Sequence, residues 1–259
     1  MRSVKIDLPQ ELDEIKLYIF ADWHIGDKGC NMAAIKEEIK AVQENPNAYV
    51  ICNGDLMNNA TKTSVSDCYS EVLTPQEQID TLVELLTPVK DKILIFTQGN
   101  HEARTFRNDG IDLTSIVASN LDLLDRYCRE GGILFLRFGL ANRKKSQNKR
   151  VSYSLYVTHG SGGGRKEGAK AIRLADLACT IDADVYIHAH THLPMIMKED
   201  FFRIDIPNST FRQVEKLFVN SAAKLGYGGY GQSGGFKPSS ISNPVIYLSG
   251  HIKKAVAKL

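Results

Sequence analysis

Five short polar clusters hold most of the residues in this chain that could do chemistry. They are Asp22-Trp23-His24, Asn53-Gly54-Asp55, Gly99-Asn100-His101-Glu102, His159-Gly160 and His188-Ala189-His190-Thr191-His192. Six of the seven histidines fall inside them, and only His251 stands apart. Any one cluster alone reads as an ordinary turn, since Asp-x-His commonly caps a turn and Gly-Asp commonly follows a strand. Together they offer imidazole, carboxylate and amide oxygen, a mixture that suits zinc, manganese, iron or nickel. Seven side chains are candidate metal ligands: Asp22, His24, Asp55, Asn100, His159, His190 and His192. That is too many for one tetrahedral ion, but it suits two ions sharing a bridging carboxylate.

Such groups need rigid elements to bring them together. The apolar runs 16–21, 48–52 and 92–97 read as buried strands, and 151–158 and 184–188 read the same way. Each runs straight into one of the clusters. Helical spacing covers 31–44, 75–87, 111–126 and 168–180, with Thr74-Pro75 marking the start of the second helix. Strands and helices that alternate in this way imply an α/β fold, in which ligands bind beyond the carboxyl ends of the strands. Further strands are expected at 133–138, 195–205, 214–220 and 244–249, and the glycine-rich stretch 226–235 is expected to be a loop. The whole chain reads as one domain with its motif core at 16–192, and residues 193–259 are expected to complete a second sheet.

Composition narrows the class. The 259 residues are 43% hydrophobic and 24% charged, which excludes disordered and fibrous proteins. The net charge of +2 gives no bulk attraction to nucleic acid. No apolar run approaches the ~20 residues of a membrane span. Acidic residues at 7, 11, 13 and 14 argue against a signal peptide. Five cysteines without a Cys-x-x-Cys pair indicate reduced thiols, and hence a cytoplasmic protein.

In its order and spacing, the set Asp22-x-His24, Gly54-Asp55, Gly99-Asn100-His101-Glu102, His159-Gly160 and His190-x-His192 resembles the signature of the calcineurin-like metallophosphoesterases. The resemblance implies a four-layer αββα sandwich, two mixed β-sheets flanked by helices, with a dinuclear metal site at the sheet edge. It implies that Asp22, His24 and His192 hold one ion, that Asn100, His159 and His190 hold the other, and that Asp55 bridges them. Mn²⁺ is the expected metal, with Fe, Zn or Ni as alternatives. Asp55, Asn100 and His101 would then be the catalytic residues, with His101 assisting the leaving group rather than binding metal. Two such ions would acidify a bridging water and stabilise the charge of an in-line attack by the hydroxide so formed.

The same resemblance frames the substrate. Gly54-Asp55 is followed by Leu-Met-Asn-Asn-Ala, not by the Asp-Arg-Gly of Ser/Thr protein phosphatases, whose arginine helps bind a phosphomonoester dianion. A phosphodiesterase acting on a nucleotide or nucleic acid is therefore the first reading, and a phosphomonoesterase or Ser/Thr protein phosphatase is the alternative. A catalytically silent binding scaffold is the third. Arg104, Arg107 and Arg165 lie close to the motifs as candidate substrate clamps, with Lys166 beside them. The basic turn 143–150 could meet a phosphate backbone, and Tyr227 or Tyr230 could stack on a base. His188 is expected to support the site rather than bind metal. The sequence leaves the oligomeric state open.

Overall fold

A computed structural model describes residues 1–64, 67–141, 149–162, 164, 166–228, 232, 235 and 237–259. Two six-stranded sheets face one another. The first sheet contains β2 (Glu14–Phe20), β3 (Ala48–Asn53), β4 (Ile93–Thr97), β5 (Tyr127–Cys128), β11 (Val245–Ser249) and β12 (Ala255–Lys258), in the order β12-β11-β2-β3-β4-β5. The second contains β1 (Arg2–Asp7), β6 (Gly132–Phe138), β7 (Val151–Val157), β8 (Val185–His188), β9 (Met195–Asp205) and β10 (Thr210–Asn220), in the order β1-β6-β7-β8-β10-β9. Both sheets are mixed: β2, β3, β4 and β5 run parallel, while β11 and β12 are antiparallel additions.

Side-chain alternation explains the layering. Ile15, Leu17 and Ile19 of β2 point between the sheets, where they meet Leu134, Leu136, Tyr153, Leu155 and Val157 from the second sheet. The opposite face of the first sheet, including Phe20, Val50, Cys52 and Phe96, packs on α1 (Met32–Glu44), α2 (Pro75–Leu86) and α4 (Leu113–Asn120). On the outer face of the second sheet, Tyr186 and Phe218 meet Leu174 of α5 (Glu167–Thr180). Helix, sheet, sheet, helix is the four-layer αββα arrangement.

The helix starts follow local chemistry. Thr74 and Glu77 form a reciprocal capping box ahead of Pro75, and Asn31 and Asp112 cap α1 and α4 through their side-chain oxygens. The single helix expected over 111–126 is interrupted. α4 stops at Asn120, Asp122 takes a left-handed φ of 61°, and a separate 3-10 turn covers Leu124–Arg126. A short α3 (Ala103–Asp109), ended by left-handed Gly110, precedes it. Strands β1 and β12 have no counterpart in the sequence reading. The C-terminal segment also divides its strands, giving β9 and β10 to the second sheet and β11 and β12 to the first. Most of the basic turn 143–150 lies outside the described residues, as do Arg165 and Tyr230. Tyr227 is exposed. Among the described residues no helix is long and apolar enough to cross a membrane.

Candidate metal centre

Hydrogen-bonded pairing continues past the strand ends and carries the clusters together. Beyond β2 and β3, the N–H of Asp22 bonds the carbonyl of Gly54 and the N–H of His24 bonds that of Asp55, both at 3.1 Å. Beyond β7 and β8, the N–H of Ala189 bonds the carbonyl of His159 at 3.1 Å. The loops then turn sharply. Asp22, His24, Asp55, His190 and His192 all have positive φ, between 51° and 63°. A non-glycine residue in that region is strained by about 1–3 kcal/mol, and Asn, Asp and His tolerate it best. Five of the seven candidate ligands therefore sit in a backbone conformation that packing must enforce.

Glycine makes the closest approach possible. Gly54 (φ +76°) and Gly99 pass each other where β3 and β4 end; a Cβ on Gly54 would lie 2.5 Å from the Gly99 nitrogen, and one on Gly99 would lie 2.0 Å from Asp55 Oδ1. Asp55 is thereby held in the middle of the site. Its Oδ2 lies 3.1 Å from His159 Nε2 and 3.8 Å from His101 Nε2, and its Oδ1 accepts the N–H of His101 at 2.8 Å.

Two groups of donors converge here. Asp22, His24 and His192 form one: His24 and His192 face each other Nε2 to Nε2 at 3.2 Å, and His192 Nε2 lies 3.3 Å from Asp22 Oδ1. That Oδ1 is buried and accepts no hydrogen bond. Asp55, His159 and His190 form the other, with Asn100 Oδ1 3.2 Å from His159 Nε2. Imidazole nitrogens turned toward one another, together with a buried carboxylate oxygen that has no donor, leave polarity that a bound cation would satisfy. The donor set fits a pair of divalent ions.

Charge coupling in the cluster is strong. Burial presses His159 toward its neutral form, but the adjacent Asp55 carboxylate outweighs this and raises it to about 10. Burial, reinforced by His159, pulls His190 down to about 4. Asp55 is held well below the usual carboxylate range: burial opposes its charge, and His159 and His101 more than compensate. Such opposed shifts follow from packing two carboxylates and five imidazoles into one cleft.

A sequence model of the family described as calcineurin-like phosphoesterase matches residues 15–194. The chain belongs to the calcineurin-like phosphoesterase family. It is accordingly a metal-dependent phosphoric ester hydrolase. Among curated proteins, no relative matches this phosphoesterase. Solved structures similar to it include a predicted phosphoesterase from Streptococcus pneumoniae TIGR4, 14% identical, covering 95% of this chain and 99% of that one, with a TM-score of 0.37. Nuclease MPE from Pseudomonas putida is 12% identical over 93% of this chain and 87% of its own, with a TM-score of 0.39. A Vps29 double mutant from Entamoeba histolytica is 11% identical over 94% and 98%, with a TM-score of 0.42.

Around the phosphoesterase centre several supporting residues come into view: Asn53, Glu102 and Asn59, to which the motif reading gave no role, and His188, which it expected to support the site. Asn53 is fully buried: its amide donates to Thr158 O and accepts from Thr97 Oγ1, and its backbone carbonyl meets His159 Nδ1 at 2.7 Å. Glu102 accepts three backbone N–H groups, from Asp55, Met57 and Gly99, at 3.0–3.1 Å. Burial, reinforced by the Asp55 charge, raises its carboxyl to about 7. Asn59 donates to His101 O and accepts from Thr105. His188 is buried and bonds Asn220 Oδ1 at 2.7 Å, away from the two donor groups.

The candidate clamps separate. Arg104 turns inward: its guanidinium reaches Asn58 O at 3.1 Å, Asn59 O at 3.4 Å and His101 Nε2 at 3.0 Å. Because an arginine only donates, His101 Nε2 accepts, and its Nδ1 then donates to Asn58 O at 2.7 Å. Among the described residues Arg107 makes only long contacts, of 3.3–3.4 Å, to backbone carbonyls. It lines a groove of about 500 Å³ with Arg104, Thr61, Thr63, Asn100, Asn108, Ser161 and His190.

Proposed function

We propose that the protein is a phosphodiesterase that cleaves a nucleotide or nucleic-acid phosphodiester with the help of two divalent ions, Mn²⁺ being the best suited. Asp22, His24 and His192 would hold one ion, Asn100, His159 and His190 the other, and Asp55 both. Bound there, the ions would acidify a water and neutralise the charge that builds up on the phosphoryl oxygens. A donor set of carboxylate, amide oxygen and imidazole without thiolate suits manganese, and iron, zinc or nickel fit the same groups.

The protein's own residues set the geometry for that chemistry. Asp55, Gly99 and Glu102 fix the floor of the site. His101 sits over Asp55 with its ring held between Asn58 O and the Arg104 guanidinium, and its Nε2 would assist a departing oxygen once it is protonated and the Arg104 contact is exchanged for the substrate. Arg104 and Arg107 bring positive charge to the side of the site that a phosphate must enter.

The groove beside Asn100 and His190 carries the diester reading. A monoester needs room for one organic substituent on phosphorus, and a diester needs room for two. The described lining contains arginines, hydroxyls and amides and no carboxylate, which suits a second, anionic arm of the substrate. Five unpaired cysteines support a reducing, cytoplasmic setting. The inward guanidinium of Arg104 favours the second reading, a phosphomonoesterase, because it could take the place of the missing arginine.

Hydrolysis of bis-p-nitrophenyl phosphate and p-nitrophenyl phosphate with added Mn²⁺ separates the two, with His101→Ala as the control. We expect preference for the diester, lost in the variant. Preference for the monoester would overturn the diester reading.

A further inference from the structure

Asp22 is the only carboxylate in its donor group, and its two oxygens have different surroundings. Oδ2 accepts two hydrogen bonds, from the backbone N–H of His190 at 3.1 Å and from the Ser221 hydroxyl at 3.2 Å. Oδ1 accepts none and lies 3.3 Å from His192 Nε2. One oxygen is thus anchored and the other is left facing the two imidazoles. Ser221 is itself fixed and fully buried. Its N–H bonds the carbonyl of His188 at 3.1 Å, and the amide of Asn220 bonds its carbonyl at 3.0 Å. Three residues on, the N–H of Lys224 bonds the carbonyl of Asp22 at 2.9 Å, while the Lys224 ammonium is buried against Glu38 at 2.7 Å. Farther along, Ser239 Oγ donates to the carbonyl of His192 at 2.6 Å. In the other donor group His159 leans on Asn53 and Asp55 on Glu102, and only the backbone N–H of His190 shares Asp22 Oδ2 with the Ser221 hydroxyl.

We infer that Ser221 is a positioning residue for one ion of the pair: its hydroxyl occupies Asp22 Oδ2 and thereby presents Oδ1, so that the C-terminal segment sets chiefly the affinity of the Asp22–His24–His192 group. The inference rests on the dinuclear reading above. Hydrogen-bonding partners one step removed from the ligands typically change metal affinity by about 10- to 100-fold.

The test is calorimetric titration of chelator-stripped protein with MnCl₂, alongside a count of retained metal by mass spectrometry. Wild type is expected to take two ions. Ser221→Ala should take one ion about 10- to 100-fold more weakly and the other with a clearly smaller loss, while its metal-free melting temperature stays close to that of wild type. Ser221→Cys keeps most of the volume and offers only a weak donor, so it should remain impaired; full recovery there would mark a packing role and overturn the inference. So would wild-type affinity at both sites in Ser221→Ala, equal weakening of both ions, or a metal-free melting temperature that falls in step with affinity. A wild-type protein that takes no Mn²⁺ would overturn the dinuclear reading and the inference with it.

Discussion

Glu102 holds Asp55 by the backbone rather than by the side chain: one carboxylate oxygen accepts the Asp55 N–H at 3.1 Å and the Gly99 N–H at 3.0 Å, and the other accepts the Met57 N–H. Three donors converging on one buried acid leave no room for a donor in its place. Glu102→Gln would turn an amide NH₂ toward at least one of those N–H groups. Each hydrogen bond to a charged acceptor is worth about 1.5–3 kcal/mol, so a loss of about 3 kcal/mol is expected. Urea unfolding of the metal-free protein measures it; a loss below about 1 kcal/mol would deny Glu102 this role.

Removing metal should lower the melting temperature as well as stop hydrolysis. Ions that bind only the folded state stabilise it by about 2.7 kcal/mol per site at 100 times Kd. At roughly 2–4 °C per kcal/mol for a chain of this size, saturation with Mn²⁺ should raise the midpoint by about 10 °C or more. Differential scanning of stripped and reloaded protein reads this directly. A midpoint indifferent to metal would count against a cation pair in the cleft.

Arg104 separates positioning from clamping. If its guanidinium chiefly orients His101, Arg104→Lys should lower kcat about tenfold or more with little change in KM, because an ammonium cannot span the same three acceptors. A KM effect with kcat intact would instead make Arg104 a substrate clamp.

Asp182 gives a pH signature remote from the cleft. Its carboxyl is held below the usual range by a hydrogen bond from Lys216, opposed by partial burial and aided by Arg203. The folded value thus lies below the unfolded one. The stability it contributes is full above about pH 4, the ordinary carboxylate range, and is lost as pH falls further. Urea midpoints should therefore drop more between pH 5 and pH 3 for wild type than for Asp182→Asn. Parallel curves would refute the pairing.

Much of the architecture could be read from residue patterns because the buried strands are unmistakable. β3 and β4 are apolar over most of both faces and β2 along its inner face, and each runs directly into a polar cluster. The elements that escaped are those with little to bury. β1 has a single buried side chain, Val4, and α3 has none. The candidate ligands stood out because histidine is scarce and clustered here. Their supports did not, since Asn53, Glu102 and Ser221 act mostly through hydrogen bonds to partners 44 to 199 residues away. No local pattern encodes such a bond. It exists only once distant strands have paired and, for Asn53 with His159 and Ser221 with Asp22, once the two sheets have met.

β2 borders β3 on one side and β11 on the other, with Leu17 opposite Ile246. A ribosome adding roughly 5–20 residues per second therefore releases β2 some ten seconds or more before the strand that covers its open edge exists. Through that interval the nascent chain carries an apolar strand with unpaired backbone groups, a template for joining neighbouring chains. A chain truncated before β11 should therefore aggregate more readily than the full chain, because that edge then stays open.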